Sequence, residues 1–310
     1  MQKGPKPRAA HGARVWLLAI RPATLPASAS GVVVGLGAAG AVGAPFRLDA
    51  AVACLAVALL LQVCANLAND LSDFRRGADT PDRLGPTRVA AAGLASGRDL
   101  EIAIAAVVVA AGIFGVWLAV IGGPVVVALG VAAIVAALAY TGGPIPYGYR
   151  GLGEPFVFAF FGLMAVMGTA WLQAGRVEPL FLLAAVPVGT LTTAVLVVNN
   201  LRDMPTDRAA NKRTLAVAFG PGFARAEYLG CVVAACVVPL GLAFARWRDP
   251  SSGSGPAILL PLLVLPLAVP LLGTVRSNGD PRRLNFVLGG TARLTLVFSL
   301  LFAAGLAAGR

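Results

Sequence analysis

The chain has 310 residues, of which 58% are hydrophobic and only 13% charged, and it carries a formal net charge of +11 at pH 7. Soluble domains are usually about 45–50% apolar and about 25% charged, so the composition excludes an ordinary soluble enzyme and indicates a chain that lies largely in lipid. The basic charge would suggest nucleic-acid binding in a soluble protein, but in a membrane protein its distribution among the loops must be considered first.

Nine apolar runs have about the length needed to cross the roughly 30 Å hydrocarbon core of a membrane. In chain order they cover residues 15–40, 49–71, 100–121, 124–140, 154–172, 179–200, 225–245, 256–274 and 287–308. The pattern predicts an all-α, polytopic membrane bundle of about nine transmembrane helices. We expect residues 1–14 to form a cytoplasmic N-terminal tail and residues 15–310 to form one transmembrane domain.

The positions of Lys and Arg predict which side of the membrane each loop faces. If the N-terminus is inside, the tail and the inner loops (72–99, 141–153, 201–224 and 275–286), together with Arg225, contain 18 of the 25 basic residues. This bias predicts a multi-pass protein of the cell membrane whose N-terminus and long charged loops lie in the cytoplasm. It also explains the net charge without a nucleic-acid partner.

The first acidic motif closes the second span. Asn66, Asp70 and Asp73 are spaced i, i+4, i+7, which predicts that they share one helical face. Asn69 lies within the same stretch, and Asp79 follows Asp73 by six residues. Carboxylates this close at the end of an apolar helix repel each other, and Mg²⁺, which binds carboxylates together with phosphate oxygens, would relieve the repulsion. The alternative is a solvated loop whose acids balance neighbouring arginines.

The second acidic motif closes the sixth span and allows the same two interpretations. Asn199, Asp203 and Asp207 are spaced i, i+4, i+8, so they share one face if the helix continues. Pro205 disfavours a helical conformation at Met204. We therefore expect Asp207 to lie on a turn or on a second short helix.

The two motifs are similar and far apart in the chain. Asn199 follows Asn66 by 133 residues, and each motif lies at the inner end of an even-numbered span. This predicts two related four-helix halves that bring the two clusters face to face across a central cavity. With basic residues nearby, such clusters would bind a Mg²⁺–diphosphate. Seven of the fourteen acidic residues lie in these two loops, and this concentration favours a binding site over two solvated loops.

Three further residues lie outside the two acidic motifs. Tyr140 begins an inner loop rich in Gly and Pro and belongs either to an interfacial aromatic belt or to the wall of the cavity, where its ring would stabilise an allylic cation. Arg21 either extends to the inner interface or reaches an anionic substrate. His11 is the only histidine, which excludes a metal site built from histidines.

The motifs resemble those of the UbiA superfamily of intramembrane aromatic prenyltransferases, over essentially the whole chain after residue 14. The stretches 77–86, 140–154 and 199–217 resemble most closely the menaquinone branch, which acts on 1,4-dihydroxy-2-naphthoate. The residues that carry the superfamily resemblance are Arg21-Pro22-x-Thr24, Asn66-x-x-Asn69-Asp70-x-x-Asp73 and Asp203-x-x-x-Asp207.

The resemblance implies Mg²⁺-dependent transfer of a polyprenyl group from polyprenyl diphosphate to 1,4-dihydroxy-2-naphthoate, with loss of CO₂, in the synthesis of demethylmenaquinone. The lipid would receive the long isoprenoid tail. The implied catalytic and metal-binding residues are Asp70, Asp73, Asp203 and Asp207, with Asn66 and Asn199 as further metal ligands. The implied substrate-binding residues are Arg21, Asn69, Arg76, Asp79, Tyr140, Asn200, Arg202, Lys212 and Arg213.

Two other functions are compatible with the sequence. One is a different branch of the superfamily, with 4-hydroxybenzoate, homogentisate or a tetrapyrrole as acceptor. The other is a transporter of a cation or of a phosphate-bearing solute. A transporter should expose polar groups to both sides of the membrane, whereas the acidic motifs here cluster on one side.

Overall fold

A computed structural model describes residues 12–77, 84–249, 255–277 and 280–309, and within these ranges the fold is helical, without β-strands. The predicted all-α fold is confirmed. The predicted tail falls mostly on residues 1–11, which lie outside the described ranges. The helices are α1 (Ala13–Ile20), α2 (Leu25–Ala41), α3 (Leu48–Arg75), α4 (Gly97–Gly122), α5 (Pro124–Ala139), α6 (Gly153–Val157), α7 (Ala165–Ala174), α8 (Pro179–Ala209), α9 (Leu215–Arg248), α10 (Leu265–Arg276) and α11 (Leu284–Ala308).

Several spans are built from two consecutive segments. A π-helical segment, Phe158–Met164, joins α6 to α7, and a 3₁₀ segment, Pro256–Val264, leads into α10. In the described part of the chain, eight helical stretches are long and apolar enough to cross a membrane. The remaining predicted span corresponds to α5, which has 16 residues and is shorter than the ~20 that a crossing usually needs. The protein is a multi-pass membrane protein.

The helices pack in two groups around a central cavity. In the first group, α3 and α4 pack together and α5 contacts both. In the second, α8 packs against α9, the π segment, α7 and α11, while α2 joins the groups by contacting α3, α7 and α11. The end of the bundle at which α3 and α8 finish, at Arg75 and Ala209, is called the motif end below.

A close contact between two glycines holds the π segment against α8. A Cβ atom added at Gly162 would lie 2.6 Å from Cα of Gly189, and one added at Gly189 would lie 2.6 Å from the Phe158 ring. At separations below 3.0 Å, a Cβ atom fits only if the neighbouring atoms shift. The wall of the cavity formed by the π segment therefore depends on this glycine pair.

Helix α8 continues through Pro205 to Ala209, so the prediction that Asp207 follows a break in the helix was wrong. Pro205 lies in the last turns of α8, where the loss of one backbone hydrogen bond affects few residues. The end of the helix is also held from outside it, because the backbone N–H of Lys212 donates to the Asp207 carbonyl at 2.8 Å.

Candidate active site

A cavity of about 360 Å³ extends from the motif end into the bundle. Side chains of α3, α4 and α5 line one side, and those of α2, the π segment, α7 and α8 line the other. Basic side chains from three separate segments, Arg21, Arg88 and Lys212, also reach it at the motif end. The polar oxygen-bearing residues from the two acidic motifs that line the cavity are Asn66, Asn69, Asp73, Asn199, Asp203 and Asp207.

The first motif contributes Asn66, Asn69 and Asp73 to the cavity but not Asp70. The cavity-facing positions are spaced i, i+3 and i+7, which is one face of an α-helix. Asp70 follows Asn69 directly and is rotated from it by about 100°. The expectation that Asp70 and Asp73 face the cavity together is therefore corrected: the structure brings Asn69 and Asp73 together instead.

Asp70 holds the loop that connects α3 to α4. It is only 1% exposed, and its two carboxylate oxygens accept backbone hydrogen bonds from Val89 N–H at 3.0 Å and Ala90 N–H at 3.2 Å. A buried carboxylate that accepts two backbone N–H groups is well satisfied without a cation.

Asp73 is bound by two side chains that sequence reasoning did not identify. A guanidinium nitrogen of Arg88 lies 2.6 Å from its Oδ2, and the hydroxyl of Tyr149 donates to its Oδ1 at 3.0 Å. Arg88 is 6% exposed and so forms a buried ion pair with Asp73. Arg88 lies in a nonhelical loop, so helical spacing cannot relate it to Asp73. The one sequence signal was its location in a long charged loop next to the motif.

Asn66 lines the cavity, but its amide is used to hold a break between α1 and α2. Its Nδ2 donates to the Ile20 carbonyl at 2.8 Å and to Thr24 Oγ1 at 3.1 Å, and its Oδ1 accepts from Gln62 at 3.2 Å. At this break Arg21 has φ 55°, in the left-handed region that residues other than glycine rarely adopt. The break brings Arg21 to the cavity.

The second motif presents all three predicted side chains to the cavity, because Asn199, Asp203 and Asp207 share one face of α8. Arg202 Nε and one terminal nitrogen donate to the two oxygens of Asp203 at 2.7 and 2.6 Å. Lys212 Nζ lies 3.3 Å from Asp207 Oδ1, whereas Asp207 Oδ2 is buried and has no hydrogen-bond partner among the described residues.

Arg202, predicted to bind substrate, does not line the cavity. It is 1% exposed, and besides Asp203 it donates to Asn199 Oδ1 at 2.8 Å and Asn285 Oδ1 at 2.9 Å. It neutralises Asp203 from the protein side. Asn200 also lies outside the cavity, where its Nδ2 donates to Glu154 Oε1 at 2.8 Å.

Two other predicted substrate-binding cations lie at the surface near the motif end. Arg76 is exposed, donates to the Gly143 carbonyl at 2.9 Å and lies 5.3 Å from the centroid of the Tyr149 ring. Arg213 is exposed, and its backbone N–H donates to the Tyr149 carbonyl at 3.0 Å. Neither lines the cavity. Asp79 lies outside the described residues.

Tyr140 lines the cavity and packs edge-on against Tyr147, with ring centroids 5.3 Å apart. Tyr147 stacks on Phe156 at 4.1 Å. Gly148 allows this packing, since a Cβ there would lie 3.0 Å from the Tyr140 ring. Burial raises the pKa of Tyr147 and of Tyr149, the latter also through the Asp73 charge, so both phenols are protonated near neutral pH. This arrangement favours the cavity-wall interpretation of Tyr140.

The oxygen donors at the motif end fit a hard divalent cation. Within the described ranges, no group of three or more His, Cys, Asp or Glu side chains is placed to hold a metal by itself. Mg²⁺ is usually bound by one or two carboxylates and completes its shell with phosphate oxygens and water. The acids of the two motifs, divided between opposite walls, suit such a shared shell. The buried, unpartnered oxygen of Asp207 is an atom that a cation would satisfy.

Residues 29–290 match the UbiA prenyltransferase family. The chain belongs to this family. This UbiA family member is 41% identical to the 1,4-dihydroxy-2-naphthoate octaprenyltransferase of Mycobacterium tuberculosis, over 95% of this chain and 97% of that protein. It is 37% identical to the protein of the same name from Escherichia coli, over 94% and 95% of the two chains.

Solved structures share the fold. The apo UbiA homologue from Aeropyrum pernix K1 aligns with a TM-score of 0.63 at 18% identity, over 91% of this chain and 96% of that one. The UbiA homologue from Archaeoglobus fulgidus bound to GPP and Mg²⁺ aligns with a TM-score of 0.62 at 15% identity, over 94% and 99%. The predicted family and helical bundle are thus confirmed.

Proposed function

We propose that this protein transfers a polyprenyl group from polyprenyl diphosphate to 1,4-dihydroxy-2-naphthoate, with Mg²⁺ as cofactor and with loss of CO₂. The observation that carries the proposal is one cavity that is acidic on two facing walls at the motif end and apolar beyond it. Such a cavity suits a donor with a charged head and an isoprenoid tail. The names of the relatives in Mycobacterium tuberculosis and Escherichia coli support the naphthoate as acceptor.

We assign the metal to Asn69 and Asp73 on α3 and to Asp203 and Asp207 on α8, with Asn199 beside them. When bound, Mg²⁺ would withdraw charge from the diphosphate and make it a better leaving group. This assignment replaces Asp70 with Asn69, because the carboxylate of Asp70 faces the loop and is satisfied there. Asn66 is assigned a structural role, because its amide hydrogen bonds to Ile20 and Thr24 hold the break between α1 and α2.

The basic side chains at the motif end would bind the diphosphate and stabilise its increasing negative charge. Lys212 and Arg21 line the cavity on the α8 side and the α1–α2 side, respectively. Fixed cations in a site that excludes water stabilise such charge more strongly than they would in solution. Arg202 instead neutralises the charge of Asp203 and orients its carboxylate.

The chemical step would exchange one bond for another at C1 of the prenyl group. The C1–O bond to the diphosphate breaks and its electrons leave with the diphosphate, while the ring carbon that bears the carboxylate bonds to C1. The carboxylate then leaves that ring as CO₂, and its bonding electrons restore the aromatic system. The face of Tyr140 can stabilise positive charge on the prenyl group, and the apolar wall excludes water that would quench it.

The apolar part of the cavity would hold the first isoprene units of the donor. It extends roughly 20 Å along α5, from Tyr140 to Val126, at 1.5 Å per residue. A longer tail must pass between the helices, because Trp171 and Leu172 lie at the opposite end of the cavity. Membrane lipid would receive the rest of the tail.

We infer that the protein lies in the cell membrane with the motif end facing the cytoplasm. The support is the presence of 18 of the 25 basic residues in the tail, in the loops at the motif end and at Arg225. The diphosphate would then enter from the side on which soluble phosphate esters are made.

Purified protein in detergent, supplied with Mg²⁺ and a polyprenyl diphosphate, tests the function directly. With 1,4-dihydroxy-2-naphthoate labelled in the carboxyl carbon, we expect a prenylated quinol and release of one labelled CO₂ per product. EDTA should abolish both. Product from 4-hydroxybenzoate or homogentisate but none from the naphthoate would overturn the choice of acceptor.

A further inference from the structure

Asp70 belongs to the first acidic motif by sequence but acts on a different part of the molecule. Its carboxylate binds the N–H groups of Val89 and Ala90, the two residues that follow Arg88. Because both carboxylate oxygens are engaged at 3.0–3.2 Å, the backbone on the C-terminal side of Arg88 is held at two consecutive atoms. The side chain of Arg88 is thereby directed from the loop into the cavity.

The start of the same loop is tied to the second motif. Asn285 donates to the Leu84 carbonyl at 2.8 Å and accepts from Arg202 at 2.9 Å, and Arg202 in turn holds Asp203. The loop segment 84–90 is thus attached to α3 through Asp70 and to α8 through Arg202. Arg88 lies between these two attachments.

Arg88 has the properties of a residue that binds an anion. It is 94% buried, lines the cavity and pairs with Asp73 through one terminal nitrogen at 2.6 Å. A guanidinium has five N–H donors in a planar fork that matches the oxygens of carboxylates and phosphates. At the wall of an otherwise acidic cavity, a guanidinium provides charge-assisted hydrogen bonds to an oxyanion that the carboxylates alone would repel.

We propose that Arg88 binds an oxyanion of a substrate and that Asp70 is the positioning residue that presents Arg88. The identity of the anion rests on the proposed function, which supplies two: the donor diphosphate and the acceptor carboxylate. Both present oxygens of the same chemistry to a guanidinium. Asp70 contributes through the loop backbone and does not ligate the metal.

Equilibrium binding to the full-length protein in detergent separates this inference from the proposed reaction. The ligands are geranyl thiolodiphosphate with Mg²⁺, 1,4-dihydroxy-2-naphthoate, and naphthalene-1,4-diol, which lacks the carboxylate. The variants are Arg88→Gln, Arg88→Lys, Asp70→Asn and the Asp70→Asn/Arg88→Gln double variant. Arg75→Gln is the matched control, because Arg75 is exposed and pairs with Glu101 outside the cavity.

We expect Arg88→Gln to raise the Kd of one anionic ligand about tenfold or more, as for the loss of one charge-assisted hydrogen bond. A change confined to the thiolodiphosphate identifies the diphosphate. A change confined to the naphthoate, with naphthalene-1,4-diol unaffected, identifies the carboxylate. Arg88→Lys should recover part of the loss, since it keeps the charge but not the fork. Arg75→Gln should bind all three ligands like the wild type.

Asp70→Asn should weaken the same ligand as Arg88→Gln, by a smaller factor, and should add less than about twofold in the double variant, because the two residues act as one unit. In steady-state assays the KM for that substrate should rise more than kcat falls. Unchanged Kd values in Arg88→Gln, or effects of the two single variants that multiply in the double variant, would overturn the proposal. Absence of turnover in the wild type with intact binding effects would count against the reaction alone.

Discussion

The two acidic motifs have nearly the same spacing but are neutralised in different ways. In the first, partners distant in the chain bind the acids: backbone N–H groups bind Asp70, and Arg88 with Tyr149 binds Asp73. In the second, near neighbours do so, since Arg202 adjoins Asp203 and Lys212 lies five residues after Asp207. The first motif therefore holds the α3–α4 loop in addition to lining the cavity, whereas the acids of the second motif are paired mainly with residues close to them in sequence.

The difference shows that moving an acid by one position along a helix, a rotation of about 100°, can turn it away from the cavity. Asp70 and Asp203 occupy corresponding positions relative to Asn66 and Asn199, yet only Asp203 faces the cavity. In the first motif, the cavity side is taken by Asn69, one residue earlier. The four predictions that follow test this contrast, beginning with the largest expected effect.

Replacing Arg202, the arginine that pairs with Asp203, should lower the free energy of unfolding most. Arg202→Met removes the buried ion pair with Asp203, and breaking such a pair typically costs about 3–5 kcal/mol. We expect a markedly lower midpoint of thermal unfolding in detergent. Lys212→Met should reduce activity and lower the unfolding midpoint less, because Lys212 lies at the cavity and its contact with Asp207 is longer, at 3.3 Å. Equal unfolding midpoints for the two variants would contradict the distinction.

The acids that face the cavity should dominate catalysis. Asp73→Asn and Asp203→Asn should each lower kcat by about 10²–10³-fold, the range seen when one element of electrostatic stabilisation is removed. Both should also require more Mg²⁺ for half-maximal activity. Asp70→Asn should keep the wild-type Mg²⁺ dependence. A Mg²⁺ dependence shifted in Asp70→Asn but not in Asp73→Asn would refute the assignment of the cavity face.

The apolar part of the cavity should respond to a bulky side chain without affecting either motif. Gly130 lines the cavity, and a Cβ there would meet no atom within 4 Å. Gly130→Phe should lower kcat/KM for long-chain donors about tenfold, or ~1.4 kcal/mol, and should spare geranyl diphosphate. Gly112→Phe is the control, since Gly112 is equally open but does not line the cavity. Equal losses for short and long donors would contradict the proposed path of the chain.

The smallest expected effect concerns the second partner of Asp73. Tyr149→Phe removes the hydroxyl that donates to Asp73 Oδ1 at 3.0 Å and retains the ring. Because Arg88 still holds the other oxygen, we expect a loss of about 0.5–1.5 kcal/mol, or roughly two- to tenfold in kcat. A loss as large as that of Asp73→Asn would show that Tyr149 has a role beyond orienting the carboxylate.

Much of the fold followed from composition and periodicity. Eight of the nine predicted spans correspond to helical stretches long and apolar enough to cross a membrane, and the ninth corresponds to the shorter helix α5. Asn199, Asp203 and Asp207 of the second motif share one helical face at the cavity, as their spacing predicts, whereas Asn200 and Arg202 lie outside it. The helical face of the first motif was misplaced, because spacing defines a face only to within one residue when polar residues are adjacent, as Asn69 and Asp70 are.

Other features depend on tertiary contacts that local sequence does not encode. Arg88 and Tyr149 reach Asp73 from loops without periodicity. The amide of Asn66 is committed to Ile20 and Thr24, more than 40 residues earlier in the chain. The helix through Pro205 was missed because the propensity of Pro to end helices is averaged over many contexts, whereas here the packing and capping contacts of α8 prevail.

The central claim is that one metal site is shared by Asp73 of the first motif and by Asp203 and Asp207 of the second, and excludes Asp70. The most direct test is Mn²⁺ binding in the presence of geranyl thiolodiphosphate. Binding is measured as the loss of the electron paramagnetic resonance signal of free Mn²⁺. With the thiolodiphosphate at a concentration that saturates every variant, the account predicts tight Mn²⁺ binding for the wild type and for Asp70→Asn, and strongly weakened binding for Asp73→Asn and Asp203→Asn. Loss of Mn²⁺ in Asp70→Asn with retention in Asp73→Asn would contradict it.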